Sequence, residues 1–238
     1  MIRSLLAAIL AGCFVAVPST TAFAFEQANI SSASATVTVV PGTAEVVVHL
    51  LNEGKVPLEA WDLRIAYELA DGTHKVTEVG IDTSSDESDP ATPGRGAIQP
   101  GEIRDRRHVL RLDGEVLSAS VIIQMLILED GTVEGDAGFA KSVFSSRERH
   151  AKLLGVWLEA LNAASEVSVQ EARTVLGRSL ESEARRIKVA GGNADGQAEC
   201  QRMAWLLASP DDVLQSRIAL IKTMMQRVYD RQARHIRR

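Results

Sequence analysis

The sequence predicts an α+β protein in which an antiparallel β-sandwich is followed by an α-helical region. Over the first half of the chain, apolar and polar residues alternate, as in strands that bury one face. From Phe139 the apolar residues recur with a helical period. The charge changes at the same point: residues 25–138 contain 8 Lys and Arg against 20 Asp and Glu, and residues 139–238 contain 17 against 11. We therefore predict a leader over 1–24, a sandwich over 25–138 and a helical region over 139–238.

The first 24 residues have the pattern of a bacterial secretory leader. Arg3 supplies a positive charge near the start, and an apolar run covers residues 4–17. Ala22 and Ala24 place small residues at the two positions that a signal peptidase reads, so we expect cleavage after Ala24. The mature chain would begin at Phe25 and would be periplasmic or secreted.

Cys13 offers an alternative end to the leader. Residues 10–13 read Leu-Ala-Gly-Cys, which fits the lipoprotein signal, and Cys13 would then be lipidated and would anchor the protein to a membrane. The apolar run before Cys13 is short and continues beyond it, which favours cleavage after Ala24. The whole run is also shorter than the roughly 20 apolar residues of a membrane-spanning helix.

Removal of the leader leaves Cys200 as the single cysteine of the mature chain. An internal disulfide cannot form, so the stability of the exported protein must come from packing. The residues around Cys200 have a helical pattern, and we interpret its thiol as half-buried and structural.

Seven strands are predicted in the front half. The first two flank the turn Pro41-Gly42-Thr43 and form a hairpin. The third places Trp61, Leu63, Ile65 and Tyr67 on one face and Asp62, Arg64 and Glu68 on the other. The fifth contains the basic stretch 104–108 and is predicted at a sheet edge, whereas the sixth is the most apolar and is predicted at the centre. The predicted ranges are 35–40, 45–51, 60–69, 74–79, 103–112, 116–128 and 132–136.

A long loop is predicted over 80–101 and is expected to be exposed, because its prolines prevent regular structure. Carboxylates cluster in this loop and around the last hairpin. Oxygen ligands of this kind can hold Ca²⁺, but neither cluster has the EF-hand spacing. We therefore expect solvated surface, with no bound metal and no cofactor. The two clusters are Asp82, Asp86, Glu87 and Asp89, and Glu129, Asp130, Glu134 and Asp136.

Several short segments of the front half resemble immunoglobulin-like modules found in many exported bacterial proteins. The resemblance rests on the run 46–57, on Ala60-Trp61-Asp62-Leu63, on Pro100-Gly101-Glu102 and on Glu129-Asp130-Gly131-Thr132, and it covers roughly residues 33–136. It implies an immunoglobulin-like β-sandwich and an exported location, with no activity attached. About seven short strands with a tryptophan in the third agree with that fold, although the disulfide of antibody domains is missing.

Four helices are predicted in the back half, with breaks at 162–168, 191–193 and 209–210. At the last break Ser209 is expected to cap the helix, with Pro210 at its first position. This helix would extend to Ile236. Apolar stripes on all four helices predict a small bundle, and a helical hairpin with a separate long last helix is the alternative.

No catalytic motif is present in the sequence. The five histidines lack metal-ligand spacing, and there is no nucleophile elbow, phosphate-binding loop or dinucleotide-binding pattern. We interpret His49, which alternates with strand valines, as a structural residue of its strand. The sequence therefore predicts no catalytic residues, although an active site assembled from distant residues stays open.

The final helix ends in a basic ridge formed by Arg227, Arg231, Arg234 and Arg238. Next to an apolar stripe, such a ridge could contact an anionic membrane. The alternative is that these cations complement the negative end of the helix dipole. Nucleic acid is not expected as a partner, because an exported chain with 4% aromatic residues has few stacking platforms.

Three functional hypotheses follow. The first is a non-catalytic exported module that binds a protein or another component of the cell envelope. The second is a peripheral membrane protein that uses the basic last helix. The third is an enzyme with an unrecognised site.

Overall fold

The computed structural model describes residues 30–85, 96–109, 115–189 and 194–234. The leader with Cys13, Ala22 and Ala24 lies outside the described residues. So do Asp86, Glu87 and Asp89 of the predicted loop, and Arg238 of the basic ridge.

Two antiparallel sheets face each other and form the front half, and four helices form the back half, so the α+β class is confirmed. One sheet has the strand order β1-β2-β5 and the other β4-β3-β6-β7. The predicted edge position of the basic strand and the central position of the most apolar strand are both confirmed. The strands are β1 (Ala33–Val40), β2 (Glu45–Asn52), β3 (Leu58–Leu69), β4 (His74–Asp82), β5 (Ile103–Val109), β6 (Val116–Leu128) and β7 (Val133–Gly135).

The core of the sandwich lies between the two sheets. Strands β1 and β2 form the predicted hairpin, and Gly42 in its turn has φ of 73°, which a residue with a side chain rarely adopts. From β3, the predicted face of Trp61, Leu63, Ile65 and Tyr67 packs into this core. Packing against β1 and β2 thus determines which side chains of β3 face the core.

The opposite face of β3 is also buried at its start, which the alternation did not predict. Glu59 and Asp62 are only 2% and 7% exposed, because the first part of a long helix covers this face. A bulge in the pairing of β3 with β6 leaves Glu59 as the extra residue between Leu58 and Ala60. Bulges redirect side chains, and this one turns Glu59 and Ala60 toward the helix together.

The predicted exposed loop over 80–101 is wrong at both ends. Residues 80–82 are the end of β4, and a 3-10 helix over Thr83–Ser85 follows, with Ser84 fully buried. Ile98 is also fully buried and pairs with Leu58 through backbone hydrogen bonds. Sheet contacts at both ends therefore outweigh the loop-forming composition.

The four helices are α1 (Ala137–Ser165), α2 (Val169–Val189), α3 (Ala194–Leu207) and α4 (Asp211–Ala233). Asp136 caps α1, since its carboxylate accepts from the amides of Gly138 and Phe139. The predicted cap of α4 is wrong: Pro210 occupies the N-cap position, with no side-chain cap bond. The Ser209 hydroxyl instead accepts from Arg217 Nη1 at 2.7 Å, so its oxygen is used on the side of the helix.

All four helices contribute to one apolar core, so the last helix is not separate and the bundle prediction is confirmed. Trp157, Leu176, Met203 and Ile218 are fully buried representatives from α1, α2, α3 and α4. The first turns of α1 lie instead on the outer face of the β3 sheet, around Ala140. Helix α1 therefore belongs to both halves of the protein.

Candidate functional site

The two halves meet at a buried ionic junction centred on Arg147 of α1. Arg147 Nη1 donates to Glu59 Oε2 at 2.7 Å, while Nε and Nη2 donate to the two oxygens of Asp82 at 2.9 and 2.8 Å. The side chains of Arg147, Glu59 and Asp82 are 1%, 3% and 26% exposed. We call these three residues the Arg147 junction.

The local fold explains why the three residues meet. The bulge aims Glu59 at α1, and Asp82 ends β4 directly beside Ala60. Burial disfavours the charged guanidinium, but the hydrogen bonds and charges of Asp82 and Glu59 outweigh burial and raise the pKa of Arg147. The charge is therefore permanent, and the junction fixes α1 on the sheet.

Asp62 lies on the same covered face without a comparable partner. Burial, together with the charges of Glu78 and Asp136, raises the pKa of its carboxyl from 3.8 to about 6. Its Oδ2 is buried and accepts no hydrogen bond in the described part of the chain. The folded protein therefore keeps a proton on Asp62 to a higher pH than an ordinary aspartate would.

A hydroxyl, an imidazole and a carboxylate form a chain across the outer face of the β1-β2-β5 sheet. Thr38 Oγ1 lies 3.0 Å from His49 Nε2, and His49 Nδ1 lies 2.7 Å from Asp105 Oδ1. This is the order of contacts in hydrolase triads. Sequence reasoning treated His49 as a structural residue of its strand and missed both partners, which come from neighbouring strands.

The surroundings of this chain differ from those of an active site. The His49 and Asp105 side chains are 32% and 63% exposed on the surface of a sheet. The amide of Thr38 lies in the ladder with β2, where it cannot also stabilise an oxyanion. A polar contact across three strands is the simpler interpretation.

The predicted carboxylate cluster around the last hairpin is divided among separate structural roles. Glu129 accepts from Arg234, Glu134 accepts from Ser31 and Ser32, and Asp136 caps α1. Within the described ranges, no group of three His, Cys, Asp or Glu residues could hold a metal ion.

The basic ridge of α4 is only partly a free surface. Arg227 is exposed, Arg231 is half-buried, and Arg234 Nη1 donates to Glu129 Oε1 at 2.6 Å. The apolar stripe beside the ridge is buried in the helical core. Only the positive charge of the ridge therefore supports the membrane hypothesis, because the apolar stripe that would enter the lipid is already packed against the other helices. None of the helices in the described ranges has the length and apolar character needed to cross a bilayer.

Strand β5 has the reverse polarity of an ordinary half-buried strand. Arg104, Arg106 and His108 pair with Leu50, Val48 and Val46, which are inward-facing core residues, so the three basic residues also face inward. Ile103 and Val109 face outward and are 62% and 66% exposed.

The three inward-facing basic residues of β5 differ in how many hydrogen-bond partners they have. Arg104 is bonded to Glu102 and to the carbonyl oxygen of Gly96. Arg106 Nε and His108 Nε2 are buried and have no hydrogen-bond partner in the described part of the chain. Burial and the charge of Arg106 lower the pKa of His108. Two nitrogens at the open side of the sandwich therefore lack hydrogen-bond partners, and the guanidinium nitrogen of Arg106 needs an acceptor.

The outer edge of β5 has unpaired backbone groups. The backbone of Asn52 forms hydrogen bonds with Glu102 and Gly101, on the side of β2 where β5 lies. The backbone amide of the next residue, Glu53, donates to the carbonyl oxygen of Ser32, on the opposite side, where β1 lies. Because the direction alternates along an antiparallel strand, the backbone groups of Asp105 and Arg107 point away from β2. Within the described ranges, the backbone N–H and C=O groups of Asp105 and Arg107 form no backbone hydrogen bond with any other segment. We call Ile103–Val109 with this free side the β5 edge.

The comparisons with known proteins give no family. No family model matches the chain, and no curated protein matches it. Among solved structures the chain is similar to the "X-ray structure of Northeast Structural Genomics Consortium target SoR45", at 12% identity over 44% of this chain and 80% of that chain, with a TM-score of 0.23. A likeness this weak supports no conclusion about fold or function.

Proposed function

We propose that this chain is an exported, non-catalytic interaction module of the bacterial cell envelope, built on an immunoglobulin-like sandwich. The observation that carries the proposal is the β5 edge, where free backbone groups run beside exposed Ile103 and Val109. Single exposed apolar residues are ordinary. Two of them on a strand with an open side form a surface suited to pairing with another chain.

The Arg147 junction supports this proposal from the other side of the sandwich. The junction holds α1 on the outer face of the β4-β3-β6-β7 sheet, and the other helices pack against α1. The β1-β2-β5 sheet lies on the far side, so the helices leave its edge open. Exposed Trp205 on α3 is a weaker candidate, because the Arg217 guanidinium stacks 4.5 Å from its ring.

Export and an immunoglobulin-like family relationship rest on the leader pattern and on the sequence resemblance described above. The strand order β1-β2-β5 facing β4-β3-β6-β7 supports the same family relationship. The leader with its Ala22 and Ala24 supports a periplasmic or secreted protein, and Cys13 supports the anchored alternative.

Cell fractionation with sequencing of the mature N-terminus tests the export claim. We expect a periplasmic or secreted protein that begins at Phe25. A lipidated N-terminal Cys13 would keep the export claim and move the protein to a membrane. A cytosolic protein that retains residues 1–24 would contradict it.

Isolation of the protein from the envelope after chemical cross-linking tests the binding claim. An Ile103→Asp/Val109→Asp double variant should lose partners that the wild type retains, because charges would replace both exposed apolar groups. Leu220→Asp is the matched control, since Leu220 is 60% exposed on α4. Equal recovery of partners with all three proteins would contradict a binding role of the β5 edge.

A further inference from the structure

We infer that the β5 edge binds an extended acidic segment of a partner protein, which adds to the sheet as a further strand beside β5. The inference rests on the proposed function and specifies the chemistry of the partner. It combines the open backbone side at Asp105 and Arg107 with the buried Nε of Arg106, which lacks an acceptor, and the buried Nε2 of His108, which lacks a hydrogen-bond partner.

The backbone supplies the pairing but not the specificity. An incoming strand would form backbone hydrogen bonds with the residues of β5 whose N–H and C=O groups point away from β2. These residues are Ile103, Asp105, Arg107 and Val109. Each of its residues would share a sheet face with the β5 residue directly opposite, with Cβ atoms about 5 Å apart. Residues opposite Arg106 and His108 would therefore enter the open side of the sandwich.

Acidic residues are the ones that fit these inward positions. A carboxylate opposite Arg106 would accept from the orphaned Nε in a charge-assisted hydrogen bond. An apolar residue there would bury the Arg106 guanidinium further without an acceptor, and a basic residue would add repulsion. Inward charges on edge strands are a known protection against unspecific pairing. In β5 the same charges would select an acidic strand.

The outward positions favour a different residue type. Ile103 lies beside half-buried Leu51 on the outer face, and Val109 is also exposed there. Apolar side chains of the incoming strand would cover Ile103 and Val109. The expected segment therefore alternates acidic and apolar residues. Long-range charge opposes its approach, because residues 25–138 contain 20 acidic against 8 basic residues.

The test is an NMR titration of the isotope-labelled chain from Phe25 with three synthetic octapeptides. One alternates Glu and Val, one alternates Lys and Val, and one has four Glu followed by four Val. We expect only the alternating Glu-Val peptide to shift the amides of Ile103–Val109. Tighter binding of the Lys-Val peptide, or shifts confined to the helices, would overturn the inference.

Variants separate the inward charges from the backbone edge. Arg106→Gln should weaken binding of the Glu-Val peptide about tenfold, while Arg178→Gln on the exposed face of α2 should not. Arg107→Pro should abolish binding and Arg107→Ala should retain it, because only proline removes the backbone N–H that points away from β2. If Arg107→Pro does not fold, the Arg106 comparison decides. Unchanged affinity of Arg106→Gln would overturn the inference.

Failure of this inference can be distinguished from failure of the proposed function. If the β5 edge cross-links to an envelope protein but the Glu-Val peptide does not bind, the acidic partner is wrong and the interaction module stands. If neither is observed, both are wrong.

Discussion

Arg147 and Glu59 are 88 positions apart in the chain, yet their side chains form a 2.7 Å ion pair with 1% and 3% of their surfaces exposed. A buried pair of this kind adds little stability compared with apolar residues, but its rupture leaves a charge without a partner. Because a displaced α1 would leave these charges without partners, we propose that the pair favours a single position of α1 on the sheet.

Arg147→Met should destabilise the protein by about 3–5 kcal/mol, because Glu59 and Asp82 would keep buried charges. Urea unfolding measures this free energy. Arg107→Met is the matched control, since its ion pair with Glu45 is exposed and should contribute less than about 1 kcal/mol. Adding Glu59→Gln and Asp82→Asn to Arg147→Met should recover part of the loss. A cost below about 1 kcal/mol for Arg147→Met would show that the junction does not hold the two halves.

Asp62→Asn should stabilise the protein at neutral pH. The folded state raises the pKa of Asp62 from 3.8 to about 6, so the folded protein retains this proton after the unfolded chain has released it. The contribution of Asp62 to stability therefore falls as pH rises from about 4 to about 6. Urea unfolding of both proteins across this range should show a gap that grows with pH and then stays constant. A gap that is independent of pH would contradict the burial of Asp62.

Asp71 is a useful contrast because its pKa shifts the other way. The backbone and side-chain hydrogen bonds from Thr73 lower the pKa of the exposed Asp71 carboxyl. Its contribution to stability is present above the ordinary pKa of 3.8 and is lost as pH falls through the lower folded value. Asp71→Asn should therefore be less stable than wild type at neutral pH in urea unfolding, and this loss should disappear at acidic pH. Asp62→Asn has the opposite sign, since it should be more stable than wild type at neutral pH.

The Thr38, His49 and Asp105 chain should not act as a hydrolase. Purified protein should hydrolyse p-nitrophenyl acetate no faster than Thr38→Val, because the hydroxyl lies on an open sheet without an oxyanion site. The rate of Thr38→Val minus that of His49→Ala gives the background hydrolysis by the His49 imidazole alone. A wild-type rate well above that of Thr38→Val would contradict the non-catalytic proposal and favour the enzyme hypothesis.

Cys200 should react slowly in the folded protein. Burial, followed by the charges of Glu183 and Glu199, raises the pKa of its thiol, and its side chain packs against the helical core. The rate with a thiol-reactive disulfide at neutral pH should be at least about tenfold lower than in urea. Equal rates in the two conditions would show that α3 is not packed as described.

Periodicity predicted most of the fold because each strand and helix buries one face. The hairpin, the core face of β3 and the four helices all follow from that pattern. The helix ends were less certain: the turn at Pro210 was recognised, but the role of Ser209 depends on Arg217, a tertiary contact.

The surfaces that matter for function were not predictable in the same way. The bulge that redirects Glu59 has no sequence signal, so its partnership with Arg147 could not be expected. In β5, only Ile103 and Val109 are apolar, and a period-two pattern would turn them inward. Pairing with Val46, Val48 and Leu50 sets the opposite orientation, because the register of the neighbouring strand decides the face.

We propose that the protein binds its partner through the β5 edge. The decisive measurement is photo-cross-linking in cells from a photo-reactive amino acid at position 103 or 109, with position 220, exposed on α4, as the control. We expect covalent adducts with another envelope protein from positions 103 and 109 and none from position 220. Adducts from position 220 alone, or no adducts at the β5 positions, would contradict the claim.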